Sequence, residues 1–327
     1  MPEGHSVHRI ARQFALHFVG KEVAASSPQG RFAAGAKLID GRRMTQARAV
    51  GKQMFLEFDN ELWLHVHLGL YGAWDFAGDI TADATIASSN GRMGQTNQKG
   101  TVVGEHEDSL ASIGAPRRTR LRMSEQEQAS DLTETFPPEP IGAVRVRLLT
   151  ESTVADLRGP TACDVLTPEQ VVAQLQKLGP DPLVDTDELA EERFVATVLK
   201  KPTPICLLLM DQSVVAGIGN VYRAELLFRA RLNPHIPGRD LPDRVVRGLW
   251  RDWAKLLEIG VQTGQMMTMD GLSPEAYDGA MASRADRHWV YHRTGEPCRV
   301  CGTPIVMEEI GGRKLYWCPV DQAGLPS

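Results

Sequence analysis

The chain has 327 residues, 42% of them hydrophobic and 24% charged, with a net charge of −5. That is room for two ordinary domains with a small appendage, and it excludes a short unstructured peptide, a collagen-like repeat and global disorder. No apolar run approaches the ~18 residues of a membrane span, and the start, MPEGHSVHR, lacks the apolar stretch of a secretory signal, so the expected location is the cytoplasm.

In chain order, Val7, Ile10, Ala11, Phe14 and Phe18 recur at helical spacing and Gly20 follows as a C-cap, which predicts an amphipathic helix over 5–19. From Met54 the period becomes two: Met54, Leu56 and Phe58, a turn at Asp59-Asn60, then Leu62, Leu64, Val66 and Leu68, a β-hairpin with one buried face. Residues 77–142 are rich in Gly, Ser, Gln, Asn, Thr and Glu, keep neither period, and read as a disordered insertion. Alternation returns at Val144, Val146 and Leu148, and a helical stretch follows over 168–178. Gly179-Pro180-Asp181-Pro182 then breaks regular structure and marks the domain boundary. Helical patterns dominate beyond it, over 187–199, 204–210 and 220–231, followed by a long helix with Val246, Leu249, Trp250, Trp253, Leu256 and Leu257 on one face. From Val290 the residues turn strand-like again.

The net negative charge argues against a nucleic-acid partner until its distribution is considered. Residues 77–142 hold six Lys/Arg against ten Asp/Glu, a contribution of −4, which leaves −1 elsewhere. A basic groove has to be sought locally.

Of five cysteines, three crowd the tail: Cys298-x-x-Cys301, sixteen residues, then Cys318-Pro-Val-Asp321. Two such pairs are how a zinc ribbon gathers tetrahedral ligands from two turns. Gly311-Gly312 suits the tight turn of the intervening hairpin and puts Arg313 at its tip. The fourth ligand position holds Asp321 instead of Cys. Three readings stand: zinc on Cys298, Cys301, Cys318 and Asp321; His292 as the substitute ligand; or a metal-free hairpin with three reduced thiols.

At the other terminus, Met1-Pro2-Glu3-Gly4 has a small second residue, which permits removal of Met1 and frees proline as a secondary amine. Such an amine attacks an aldehyde-level carbon to give an iminium ion, an electron sink in the manner of Schiff-base lysines. Glu3 beside it is placed to shuttle protons, and the positive end of the following helix favours a neutral amine with an ionised carboxylate. Taken singly, an exposed inert terminus and, for Lys52, a solvated charge are the blander readings.

Four segments taken together carry a resemblance: MPEG at 1–4; Gly51-Lys52 ahead of the hairpin that ends in His67-Leu68-Gly69-Leu70-Tyr71-Gly72; LLMDQSVVAGIGNVYRAELLFRARLNP at 208–234; and the tail with GGRKLYWCP. The chain resembles the formamidopyrimidine-DNA glycosylase/endonuclease VIII family over both domains, the insertion excepted. The resemblance implies an α+β fold: an N-terminal β-sandwich with an N-terminal helix over 1–178, a hinge at 179–184, a helix-two-turns-helix domain over 185–289 and a zinc-ribbon-like hairpin over 290–327.

By the same resemblance Pro2 is the nucleophile, Glu3 the general acid/base and Lys52 a DNA contact at the lesion. Leu70 and Tyr71 match the wedge that fills the gap left by the extruded base, Arg158 a second wedge loop, and Arg313 a contact to lesion phosphates. Asn220 would cap the second helix of the central motif, with Gly217, Ile218 and Gly219 opening backbone N–H groups to a phosphate. Without the family, Gly217-x-Gly219 is a weak dinucleotide-binding lookalike that lacks the third glycine. The five cations of 200–232 (Lys200, Lys201, Arg223, Arg229, Arg231) against Asp211 and Glu225 suggest a DNA face. Gly159-Pro160 stands where the formamidopyrimidine branch has arginine-phenylalanine, which leans toward endonuclease VIII and oxidised pyrimidines.

The implied function is a monomeric base-excision-repair DNA glycosylase and abasic-site lyase acting on damaged DNA by β,δ-elimination. A non-catalytic DNA-binding or damage-sensing protein of the same fold is the alternative, and a zinc-ribbon adaptor a third.

Overall fold

The computed structural model describes residues 2–80, 112–114, 136–283 and 286–326. Helix α1 (Gly4–His17) buries Val7, Ile10, Ala11 and Phe14 on one face, while His5, Arg9 and Gln13 line a second buried face one turn apart from each other. A helix buried on two sides is a helix between two bodies. It packs against the strands that follow it and against a long helix of the second lobe.

Among the described residues nine strands form one antiparallel ribbon. They are β1 (Glu22–Ser26), β2 (Arg42–Val50), β3 (Gln53–Phe58), β4 (Trp63–His67), β5 (Ala73–Gly78), β6 (Ser112–Gly114), β7 (Val144–Leu149), β8 (Thr153–Arg158) and β9 (Ala162–Leu166), in the order β6-β5-β8-β7-β1-β2-β3-β4-β9. Strand β1 turns the corner: Glu22 and Val23 pair with β2, whereas Ala24–Ser26 pair with β7. The two halves share one core of Met44, Met54, Leu56, Leu64, Val66, Trp74, Val146, Leu148 and Leu157 with α1, which makes the ribbon a sandwich. Short helix α2 (Ala33–Ile39) follows β1, and α3 (Pro168–Leu175), closed by a Thr167/Gln170 capping box, covers Phe55 and Trp63 on the outer face.

The expected insertion lies mostly outside the described residues. Within 77–142, however, β5 continues to Gly78, and Ser112–Gly114 pairs with it, so that interval contributes an edge strand rather than being uniformly irregular.

The second lobe holds α4 (Glu188–Leu199), α5 (Ile205–Leu208), α6 (Asn220–Arg229), α7 (Asp243–Thr263) and α8 (Pro274–Ala282) around a core of Phe194, Tyr222, Leu226, Trp250, Trp253 and Leu257. Helix α7 carries the expected apolar face and ends at Gly264 in the left-handed region. Strands β10 (Val306–Ile310) and β11 (Arg313–Trp317) form the terminal hairpin about Gly311-Gly312, both at positive φ. The fully buried Glu225 of α6 anchors the approach to this hairpin. Its carboxylate accepts N–H bonds from Trp289, Val290 and Tyr291 and the Thr268 hydroxyl, and burial nevertheless pushes its pKa up.

Candidate active site at the lobe seam

The first residues of the chain lie in the seam between the lobes. Pro2, Glu3 and Gly4 are all buried. The Gly4 N–H donates to the Gly217 carbonyl at 2.9 Å, and the Glu3 carboxylate accepts from Gly219 (2.9 Å) and Tyr222 (3.4 Å) on Oε2 and from Val221 (2.9 Å) on Oε1. The first turn of a helix leaves its N–H groups without intrahelical partners and carries partial positive charge. Glu3, from the other lobe, therefore supplies the cap of α6.

This corrects the reading of Asn220 as the cap. Gly219 occupies the N-cap, and Asn220 opens the helix with its amide donating to the Lys314 carbonyl of β11 at 2.8 Å. The expected phosphate loop makes its own contacts within the protein. The Gly217 N–H is bonded to Gln212 Oε1 and the Gly219 N–H to Glu3, so both are committed inside the protein. Glycine at 219 is required by closeness: a Cβ there would lie 2.3 Å from Cδ of Glu3.

Gly51 and Lys52 form the two-residue turn between β2 and β3. Gly51 is at φ +58°, and a Cβ on it would meet Ala216 at 2.7 Å. The Lys52 ammonium donates to the Ile218 carbonyl at 2.6 Å, within the same loop that Glu3 and Gly4 touch. Burial pushes Lys52 down to about 8; Glu3 opposes that shift and the Arg313 guanidinium adds to it. The terminal hairpin thus brings Arg313 within electrostatic reach of Lys52 and Arg223.

Residues that the sequence did not single out hold this arrangement. Asp181, in the Pro/Gly break, is fully buried; its Oδ2 accepts from the Gly51 N–H at 2.6 Å and from His8 of α1 at 2.7 Å. Neighbouring backbone joins the other lobe, Gly179 N–H to Gln212 and Ala216 N–H to the Pro180 carbonyl. Gln212 in turn donates to the Ile218 carbonyl. His5 is pushed down to about 3 by burial, helped by Arg9, and is therefore neutral. His67 pairs across from Gln53, and its pKa is lowered by burial and by Lys52. Its place in the His-Leu-Gly-Leu-Tyr run was the available signal.

Leu70 and Tyr71 stand on the surface turn after β4, 39% and 71% exposed. Arg158 ends β8 and pairs with Asp75 of β5 at 2.5 Å, its side chain 17% exposed, so its charge is matched inside the sheet. In the cationic run of 200–232 Lys200 is exposed and Lys201 half-buried, whereas the three arginines make contacts within the protein. Arg223 is fully buried, Arg229 is bidentate on Asp252, and Arg231 lies 4.5 Å over the Phe228 ring.

At the tail, Cys298, Cys301, Cys318 and Asp321 bring one donor atom each within 4.8 Å of one another. Cys301 and Cys318 sulfurs are 3.5 Å apart, and Asp321 Oδ2 is 3.0 Å from Cys298 Sγ and 3.6 Å from Cys318 Sγ. A tetrahedron built on the usual zinc–sulfur and zinc–oxygen lengths has edges of about 3.5–3.8 Å; separations of 3.0 to at most 4.8 Å bracket these, so modest side-chain shifts let the donor set close on a zinc ion. His292 is not among the four; it stacks on Tyr291 at 4.3 Å.

The three parts match known families. Residues 1–129 match the formamidopyrimidine-DNA glycosylase N-terminal domain, 178–270 its H2TH domain, and 295–324 the zinc finger found in FPG and IleRS. Endonuclease 8 1 of Mycobacterium tuberculosis H37Rv is 35% identical over 324 residues, covering 98% of this chain and 100% of that protein. The chain belongs to the formamidopyrimidine-DNA glycosylase/endonuclease VIII family. It is accordingly a base-excision-repair DNA glycosylase and abasic-site lyase that acts on damaged DNA.

The formamidopyrimidine-DNA glycosylase of Thermus thermophilus is 37% identical over 152 residues, 46% of this chain and 56% of that one. Among solved structures, the same organism's MutM (Fpg) protein superposes with a TM-score of 0.64 at 22% identity, covering 99% and 100% of the two chains. Lactococcus lactis Fpg in complex with N7-benzyl-Fapy-dG DNA gives 0.68 at 18%, covering 98% and 99%. These likenesses establish the α+β fold. No helix among the described residues is long and apolar enough to cross a membrane.

Proposed function

We propose that the mature Pro2 amine attacks C1′ of an oxidised nucleotide, pyrimidines preferred. The N–C1′ bond forms as the glycosidic bond breaks and the base leaves with a proton. Glu3 takes the N–H proton that Pro2 loses on forming the iminium and passes it to the ring oxygen as the sugar opens, and it carries protons in the later steps. Its Oε1 accepts one N–H bond among the described residues, which leaves a lone pair for that transfer. The resulting iminium draws electrons from C2′ when its proton is removed, expelling the 3′ phosphate, and a second elimination expels the 5′ phosphate. The observation that carries this reading is the burial of Pro2 and Glu3 against the Gly217–Tyr222 loop, with Lys52 on the same loop.

Lys52 and Arg313 contact the phosphates about the lesion. Leu70 and Tyr71 fill the gap left in the stack; this wedge and Gly159-Pro160 support the pyrimidine preference. Residues 1–178 form the catalytic lobe, 179–184 the hinge, 185–289 the DNA-gripping lobe and 290–327 the ribbon. The enzyme works as a cytoplasmic monomer. Zinc, when bound by Cys298, Cys301, Cys318 and Asp321, supplies structural cross-linking that keeps Arg313 at the seam.

Borohydride added during reaction with duplexes carrying an oxidised pyrimidine, an oxidised purine or an abasic site traps a covalent protein–DNA adduct, fastest with the pyrimidine. A form that retains an N-terminal extension ahead of Pro2 gives none. No adduct from the mature protein on any of the three duplexes rejects the mechanism and favours a DNA-binding protein without catalysis.

A further inference from the structure

Asp321 stands where the metal-binding pattern calls for cysteine, and its two oxygens face different ways. Oδ2 points to the sulfurs of Cys298 and Cys318, and Oδ1 lies 3.3 Å from Nη1 of Arg231. A carboxylate shared in this way presents one oxygen to the donor cluster while a cation fixes the other. Arg231 follows α6 with left-handed backbone, φ +51°, and its guanidinium rests on Phe228 of that helix. The second knuckle is laid on the same turn: Gln322 bridges the Cys318 N–H to the Leu232 carbonyl, and the Asn233 N–H donates to the Gly324 carbonyl. The arginine and the aspartate are thus held opposite each other by neighbours on both sides.

We propose that Arg231 is a positioning residue for the metal site: by holding Oδ1 it orients Asp321 as a one-oxygen ligand through Oδ2. The inference rests on the zinc reading above. Its physical content is a dependence on oxygen as donor. A thiolate has a single ligating atom and no second oxygen for an arginine to hold, so a chain with cysteine at 321 has no use for Arg231. Groups that orient a ligand from outside the coordination sphere typically contribute 10–100-fold in metal affinity.

The test is a zinc competition titration of the full chain against a chromophoric chelator, with cobalt(II) absorption as a second readout of the donor set. Arg231→Met, which keeps the stem over Phe228, lowers zinc affinity by roughly 10–100-fold, and Arg231→Lys recovers part of the loss. In the Asp321→Cys background Arg231→Met changes affinity by less than about threefold, and cobalt shows the stronger sulfur-to-metal absorption of four thiolates. An equal loss in both backgrounds makes Arg231 a general support of the fold and overturns the inference, as does no loss in either. If the wild type takes up no zinc, the zinc reading falls and this inference with it, whereas zinc uptake that is indifferent to Arg231 sinks the inference alone.

Discussion

Helix α6 has a carboxylate brought to each of its ends, and the two regions are built differently. At its start, in the lobe seam, Glu3 is fully buried and held by three backbone N–H groups. Just past its end, at the ribbon, Asp321 is held by a side chain, Arg231, that is itself 38% exposed. Backbone donors on a helix terminus cannot rotate away and involve no side-chain ordering, so the seam is preorganised by the fold itself. The ribbon relies on an ion pair whose partner has many rotamers, and such pairs are weak unless geometry fixes them. The seam tolerates almost no change, while the ribbon accommodates Asp in a Cys position by recruiting one neighbour.

The sharpest way to break this contrast is Glu3→Gln. The amide keeps one oxygen but turns an NH2 group toward N–H donors and cannot shuttle protons, so single-turnover excision falls by about 10²–10⁴-fold. Binding of a duplex with an uncleavable abasic-site analogue stays within a few-fold of wild type. A loss of binding as large as the loss of rate would show that Glu3 supports the fold of α6 more than the chemistry.

Asp181→Asn comes next. Asp181 joins α1 through His8 to the Gly51 turn and accepts the Leu183 N–H on its other oxygen. The substitution leaves a buried donor facing a donor, which costs about 2–4 kcal/mol in denaturant unfolding. Excision at 25 °C falls with it, because Lys52 follows Gly51 directly. Unchanged stability would mean that the lobes are held together by other contacts.

Asp181 also marks the limit of what the sequence discloses. The segment 179–182 read as a break because proline and glycine interrupt any period, and that is all local pattern can show. Its function depends on partners 130 and 173 positions away. The same holds for Glu3: its residue type and place beside Pro2 were legible, its capping of α6 from 216 positions away was not. Elements with strong contrast, such as α1, the β3–β4 hairpin, α7 and the Gly311-Gly312 turn, could be read directly. Strand β1, EVAAS, alternates in burial but carries alanine where a larger residue would signal an inward face, and β9 is half-buried on either side of an exposed Asp164. Charge counted along the cationic run also leaves internal pairing out: Arg229 and Arg231 meet Asp252 and Asp321, residues distant in sequence.

A third measurement uses pH. Burial places Lys52 at about 8, well below an ordinary lysine. It is a cation below that value and neutral above it. A phosphate contact therefore weakens as pH rises, and excision under subsaturating conditions declines from pH 7 to 9.5 by about 30-fold if it follows the charged fraction. Lys52→Arg keeps its charge over this range, so it starts lower but shows a flatter alkaline limb. A limb of the same midpoint in both proteins would assign the titration to another group.

The smallest expected effect separates the two arginines that sequence reasoning had placed together on DNA. Arg313 opens β11 at the hairpin turn, and Lys314 beside it is tied to Asn220, so the ribbon delivers Arg313 toward the seam. Arg158 is paired with Asp75 inside the sandwich. Arg313→Ala should weaken binding of an abasic-analogue duplex by roughly three- to tenfold and reduce the slope of log affinity against log salt by about one. Arg158→Ala should leave that slope unchanged and instead lower the denaturant midpoint, since it removes an ion pair between two side chains that are 17% and 15% exposed. Equal slopes for Arg313→Ala and wild type would detach the ribbon from DNA binding. A reduced slope for Arg158→Ala would require the Asp75 pair to open on the duplex, and the sandwich edge would then join the binding face.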